Sequence, residues 1–239
     1  MHKNKPDWTK LITPEMAEVV AHIRQWNEEQ SATSNYLQDY MDERVFWNDG
    51  GPVPAKVIEV EIEGPYGKIP CRLHYPRISD QPMGMMLYAH GGSLYLGNND
   101  THSRIMRTLT EKSDTVVIGV DYHLAPQNRF PKWIEECVVA TKYFRAHAAE
   151  YGLDANDVSF AGDSAGAWLS MATMLWLRDE DPDISYVTSL LLYYGLYGMY
   201  DSPTQRLYGN EIDGMMREYD EKLYPASIVD EEDVKSPHC

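Results

Sequence analysis

Cysteine is scarce in this sequence, with three residues in a chain of 239. They stand at positions 71, 137 and 239, so they are far apart, odd in number and without a C-x-x-C spacing. This pattern argues against a disulfide framework and against a cysteine-based zinc site, and it favours reduced thiols in a cytoplasmic protein. The basic first ten residues lead into no apolar segment of the kind found in secretory signal peptides, which supports the same cytoplasmic expectation.

Long apolar runs and positive charge are also lacking. No stretch approaches the ~18 apolar residues that a membrane span requires. Lysine and arginine number 21 against 37 aspartates and glutamates, for a formal net charge of −16. A field of that sign repels phosphate backbones and anionic lipids, so we expect neither nucleic-acid nor membrane binding. No metal or organic cofactor is implied, and a dinucleotide-binding fold is set aside because G-x-G-x-x-G is missing after the first predicted parallel strand.

The patterns that are present predict an α/β protein. Helical spacing marks residues 14–26, with Thr13 as N-cap, and residues 37–47; a strand hairpin then covers residues 57–75. Four short, nearly unbroken apolar runs follow and alternate with helical segments, which is typical of a doubly wound, mostly parallel sheet, here with an antiparallel start. The runs are Met83–Ala89, Thr115–Val120, Val158–Ala161 and Ser189–Tyr194, and the helical segments are His102–Lys112, Trp133–Glu150 and Ala165–Arg178.

After Gly195 no further strand run followed by a helix occurs, although a helical piece is predicted at residues 212–223. We therefore expect a sheet that lacks its last strands. The predicted organisation is a helical cap segment at 1–55, a partial α/β core at 56–196, and a cap insertion with an acidic tail at 197–239.

The sequence Gly162-Asp-Ser-Ala-Gly166 fits G-x-S-x-G, between a predicted strand and a predicted helix. In that setting the glycines permit a backbone turn too sharp for Cβ atoms, and the turn lifts the Ser164 hydroxyl above the sheet. The alternative is a small-residue turn that only packs a helix on the sheet.

A second motif, His90-Gly-Gly-Ser93, directly follows the strand at Met83–Ala89. Glycine amides at the end of a strand can be directed at a point above the sheet, as in an oxyanion hole. Taken alone, a loop glycine pair beside a buried histidine is the simpler explanation. The two motifs together favour acyl transfer.

Four stretches resemble the hormone-sensitive-lipase-like branch of the α/β-hydrolases, and within it the bacterial acetyl esterases: YAHGGSLYLGNNDTHSRIMRTL, VIGVDYHLAPQNRFP, FAGDSAGA and LLLYYGLYG. The resemblance implies that Ser164 is the nucleophile. It also implies an oxyanion hole of Gly91, Gly92 and the Ala165 amide, with His90 a structural part of the loop. Ser93 replaces the commoner third glycine. A small acyl-ester substrate is implied, as are helical segments that form a cap over the acyl pocket.

Neither a general base nor its orienting acid is identified for Ser164. In α/β-hydrolases the chain order is serine, acid, histidine, and only His238 follows Ser164. The acid and base are therefore expected beyond residue 239, in a chain that is C-terminally truncated. Each resident histidine is expected to have another role.

Two functions stay open. One is a serine carboxylesterase for short-chain acyl esters that works through an acyl-enzyme, with low activity for these 239 residues. The other is a catalytically inactive, truncated product that acts as a binding or regulatory protein. By resemblance alone, its partners would include a maltose-regulon activator or an α-galactosidase. A homodimer is a further expectation.

Overall fold

The computed structural model describes residue 10, residues 12–30, 36–181, 183–195 and 197, and, near the end of the chain, residues 230, 233 and 236–238. The helical piece predicted at 212–223 lies outside the described residues. The chain divides into two units, Met1–Trp47 and Asn48–Cys239. The predicted boundaries after residues 55 and 196, and the cap role of the N-terminal helices, stay predictions.

The first unit is helical. Helix α1 covers Pro14–Gln30 and α2 covers Tyr36–Asn48. Thr13 is the N-cap of α1, as predicted, because its Oγ1 accepts the Met16 N–H at 3.3 Å. The His22 ring stacks on Phe46 with ring centroids 3.9 Å apart, so an aromatic contact joins the two helices.

The second unit contains a sheet of six described strands in the order β1-β2-β4-β3-β5-β6. The strands are β1 (Lys56–Gly64), β2 (Gly67–Tyr75), β3 (Met83–Ala89), β4 (Val116–Val120), β5 (Leu153–Asp163) and β6 (Val187–Tyr193). β1 runs antiparallel to β2, and β2 runs antiparallel to β4. The other neighbours are parallel. The predicted α/β sheet with an antiparallel start is confirmed.

Helices cover both faces of this sheet. They are α3 (Ser103–Ser113), α4 (Lys132–Ala146), α5 (Ala148–Tyr151) and α6 (Ala165–Glu180). Along β3, Met85 and Leu87 belong to the core cluster that includes the buried side chains of α4 and α6. Met86 and Tyr88, on the opposite face, pack with Met106 of α3. Because both faces are covered, the strand sequences show unbroken apolar runs rather than polar alternation.

Within the described part of the chain, no helix is both long enough and apolar enough to cross a membrane.

Candidate active site

Ser164 occupies a one-residue turn between β5, which ends at Asp163, and α6, which begins at Ala165. Its backbone lies at φ 51° and ψ −120°, a region that costs a non-glycine residue about 1–3 kcal/mol. The Ser164 N–H donates to the Tyr193 carbonyl at 2.9 Å, so β6 supports the turn. A strained serine at the crest of a strand–helix corner is the geometry of a nucleophile elbow.

Two glycines make this corner sterically allowed. A Cβ atom on Gly162 would lie 2.3 Å from the Gly166 carbonyl oxygen, and one on Gly166 would lie 2.0 Å from the Ala89 carbonyl oxygen. Both neighbours are backbone atoms, which cannot move aside as a side chain can. The glycines of the motif thus serve the close approach of α6 to the sheet.

The His90–Ser93 loop leaves the sheet beside this corner. β3 pairs with β5, with Ala89 opposite Gly162, so both turns start from the carboxyl edge of neighbouring parallel strands. Gly92 lies at φ 118°, and a Cβ there would be 2.2 Å from the Leu96 carbonyl oxygen. Its own carbonyl accepts the N–H groups of Tyr95 and Leu96. The loop is a tight turn whose second glycine is required.

His90 is part of the framework of this loop. Its Nδ1 lies 2.8 Å from the Gly91 carbonyl oxygen, its ring stacks on Tyr122 at 4.4 Å, and the Tyr122 hydroxyl donates to the His90 carbonyl at 2.7 Å. Burial, reinforced by the neighbouring His102, lowers the pKa of His90 to about 4. A neutral ring with these contacts holds the loop rather than moving protons.

Asp163, which the sequence analysis did not single out, is buried between the corner and the loop. Its Oδ1 accepts the Gly91 N–H at 2.9 Å and the Tyr88 hydroxyl at 2.6 Å. Its Oδ2 accepts the Tyr194 hydroxyl at 3.1 Å and lies 3.5 Å from His102 Nε2, an ion-pair contact too long for a strong hydrogen bond. Burial acts to raise the pKa of Asp163, but His102, Tyr88 and the Gly91 amide outweigh it, so the pKa lies well below its usual value.

One predicted oxyanion donor is therefore engaged elsewhere. The Gly91 N–H is donated to the Asp163 carboxylate, and an amide held in this way is not also directed at a substrate oxygen. The Gly92 amide and the Ala165 amide stay candidates. Ala165 is the first residue of α6, where an N–H has no acceptor within its own helix.

The histidines of the second unit are held by groups other than Ser164. His74 is buried in β2, opposite Val57 and Val117. Polar contacts of the other five rings are with Gly91 for His90, Thr101 and Asp163 for His102, Glu136 for His123, Tyr143 for His147 and Asp179 for His238. Asp179 follows Ser164 by 15 helical residues, about 22 Å along α6. His238 is thus far from the serine.

Comparisons with known proteins agree with this fold. A sequence family described as having the alpha/beta hydrolase fold matches residues 86–239. An acetyl esterase of Salmonella typhi is 44% identical over 200 residues, which are 84% of this chain and 61% of that protein. The chain therefore spans about 61% of the length of the curated relatives it matches.

Solved esterase structures superpose on the same fold. An esterase from Pyrobaculum calidifontis has a TM-score of 0.71 at 26% identity, covering 87% of this chain and 67% of that one. The thermostable carboxylesterase EstE1, cloned from a metagenomic library, has a TM-score of 0.70 at 27% identity, covering 81% of this chain and 66% of that one.

Proposed function

Because this chain belongs to the α/β hydrolase fold family, we propose that it is the Ser164-bearing part of a serine carboxylic ester hydrolase. The observation that carries the proposal is the strained Ser164 backbone at the β5–α6 corner, next to a loop of two glycines at the end of β3. The relatives are acetyl esterases and carboxylesterases, which supports short-chain acyl esters as substrates.

The chemistry follows from the positions of these groups. Ser164 Oγ attacks the ester carbonyl carbon and passes its proton to a general base, while the Gly92 and Ala165 amides bind the oxygen that becomes negative. The alcohol leaves with the proton returned by the base. Water then adds to the acyl-enzyme, and the carboxylic acid and free Ser164 are released. The N-terminus of α6 adds a favourable dipole at the oxyanion.

We place the base and its orienting acid in the part of the fold that the longer relatives possess and the matched stretch does not include. The other ring contacts of the second unit's histidines support this assignment. The proposal therefore predicts slow turnover for the 239-residue chain. The proposal also includes a cytoplasmic location, which the free, buried thiols of Cys71 and Cys137 support.

A second candidate function is a binding or regulatory protein without turnover. It is favoured by the same observation, that His90, His102, His123, His147 and His238 each contact a group other than Ser164. The relatives are named as esterases, and these names do not support a binding or regulatory function.

Hydrolysis of p-nitrophenyl acetate tests the proposal, together with labelling by diethyl p-nitrophenyl phosphate read by intact mass. We expect one diethylphosphoryl group per chain and Ser164-dependent hydrolysis, with both abolished in Ser164→Ala. Ser79→Ala is the matched control, because Ser79 is a partly exposed loop serine between β2 and β3, at the other end of the sheet. Equal labelling and hydrolysis in Ser164→Ala would refute the assignment.

A further inference from the structure

The Asp163 carboxylate joins the nucleophile corner to the glycine loop. We propose that Asp163 is a positioning residue: it holds the Gly91 amide and thereby directs the next amide, that of Gly92, towards the oxygen of a substrate bound at Ser164. This inference rests on the proposed ester hydrolysis and assigns to that site a residue that acts through the loop rather than on the substrate.

The contact between the Asp163 carboxylate and the Gly91 amide is constrained by the backbone on both sides. Asp163 is the last residue of β5, where it pairs with Tyr193 of β6, and it immediately precedes the constrained Ser164. Its Oδ1 accepts the Gly91 N–H at 2.9 Å, and a Cβ on Gly91 would lie 2.4 Å from Oδ2. Only a glycine lets the loop come this close to the carboxylate. A displacement of Asp163 would therefore be transmitted directly to the amide that follows Gly91.

The His102 ring lies beside the Asp163 carboxylate and is itself held in place. The Thr101 hydroxyl donates its single proton to the Asn98 carbonyl at 2.9 Å, so His102 Nδ1, 2.9 Å from the same oxygen, is the donor in their contact. His102 Nε2 lies 3.5 Å from Asp163 Oδ2, so the fixed imidazole ring lies against this oxygen of the carboxylate.

Two tyrosines complete the cage around the carboxylate. The Tyr88 hydroxyl donates to Oδ1 at 2.6 Å from within β3, and the Tyr194 hydroxyl donates to Oδ2 at 3.1 Å from the end of β6. Each carboxylate oxygen thus accepts a tyrosine hydroxyl, from the buried Tyr88 on one side and the exposed Tyr194 on the other. The cage fixes the orientation of the carboxylate, and through it the orientation of the loop.

Nuclear magnetic resonance of ¹⁵N-glycine-labelled protein tests the contact without requiring activity. The chain has 16 glycines, and His90-Gly91 is its single His–Gly pair, so ¹³C-carbonyl labelling of histidine identifies the Gly91 amide. We expect this amide proton at low field, because its acceptor is charged. In Asp163→Asn it should move upfield, and the Gly92 resonance should shift with it. Asp179→Asn, the same substitution at an exposed end of α6, should leave both unchanged.

Tyr88→Phe is a second variant that keeps the charge of Asp163. It removes the other donor to Oδ1, so the Gly91 proton should move further downfield, opposite in sign to Asp163→Asn. Far-UV circular dichroism confirms folding in each case. An unmoved Gly91 resonance in whichever variant folds would overturn the proposal.

The rate at which Ser164 reacts with diethyl p-nitrophenyl phosphate is a functional test of the positioning role of Asp163. Asp163→Asn should slow labelling at least tenfold, since loss of a whole oxyanion donor typically costs ~10²–10³-fold, while Asp179→Asn reacts like the parent. Labelling at the parent rate in a folded Asp163→Asn variant refutes the positioning role. Labelling that survives Ser164→Ala refutes the proposed function instead, so the two failures are distinguishable.

Discussion

His74 and His90 are buried imidazoles whose titration matters for stability. Burial is the largest cause that lowers the pKa of each ring, from 6.5 to about 4. Between these values the unfolded chain binds protons that the folded protein does not, so the free energy of unfolding falls as pH falls from 6.5 to 4. Asp121 acts in the opposite direction: burial raises its pKa to about 6, and the folded state then binds the extra proton.

We predict that His74→Gln flattens this acid destabilisation. Below pH 6.5 the variant no longer has a buried ring that must stay neutral, so its loss of stability between pH 7 and pH 4.5 should be smaller by about 2–3 kcal/mol, given 1.36 kcal/mol per pKa unit. Urea unfolding at the two pH values measures it. His147→Gln, the same substitution at an exposed ring, is the matched control. Identical pH profiles for parent and His74→Gln would contradict the prediction.

The residues of the site differ in how far the sequence could identify them. Ser164 and its flanking glycines were predictable because the steric demand of the corner is local and appears as a short pattern. Asp163 was not, because its partners Tyr88 and Gly91 stand 75 and 72 residues away in the chain. For the same reason, the sequence did not predict that the Gly91 amide donates to Asp163. Only the sheet pairing that places Ala89 opposite Gly162 brings these groups together.

At the scale of elements, the type and order of the strands and helices from residue 14 to residue 193 followed from the sequence, but several boundaries did not, and two of them are informative. The predicted strand Val158–Ala161 is part of the longer β5, whose first residues include polar side chains that interrupt the apolar pattern. The predicted helix from Trp133 to Glu150 is divided at His147 into α4 and α5. The helical spacing of the sequence continues through His147, so periodicity does not indicate the division. The division depends on local capping and tertiary contacts instead.

The approach of α6 to β3 leads to the prediction that Gly166→Ala destabilises the protein. In an open helix this change would stabilise by about 1 kcal/mol. Here the new Cβ would lie 2.0 Å from the Ala89 carbonyl oxygen, so we expect a loss of about 3 kcal/mol in the free energy of unfolding, measured in urea at pH 7.

Gly152→Ala separates this clash from backbone strain. Gly152 lies at φ 67° with no atom within 4 Å of a new Cβ, so only the left-handed conformation is penalised, by about 1 kcal/mol. A Gly166→Ala variant as stable as the parent would mean that α6 does not pack as closely on β3 as the geometry indicates.

The second unit carries the proposed nucleophile, Ser164, and each of its histidines with a described polar contact is held by a group other than Ser164. His238, one of these five, contacts Asp179 about 22 Å along α6 from Ser164. General bases typically contribute 10²–10⁴-fold to rate, and under the proposed function this contribution is missing from the 239-residue chain. Adding a base from solution therefore distinguishes the two candidate functions, because only an esterase site should respond to it.

We therefore predict that imidazole accelerates hydrolysis of p-nitrophenyl acetate by the 239-residue chain in a Ser164-dependent manner. Imidazole also reacts with the ester directly, so the rate in Ser164→Ala is subtracted at each concentration. About tenfold acceleration above the rate without imidazole is expected, since a diffusible base recovers part of the contribution of a positioned one. Fast hydrolysis at a rate that does not depend on imidazole concentration would reveal a resident base and contradict the assignment of the histidines. Absence of Ser164-dependent turnover at every imidazole concentration would favour the binding function, because a corner that cannot use a supplied base is not an esterase site.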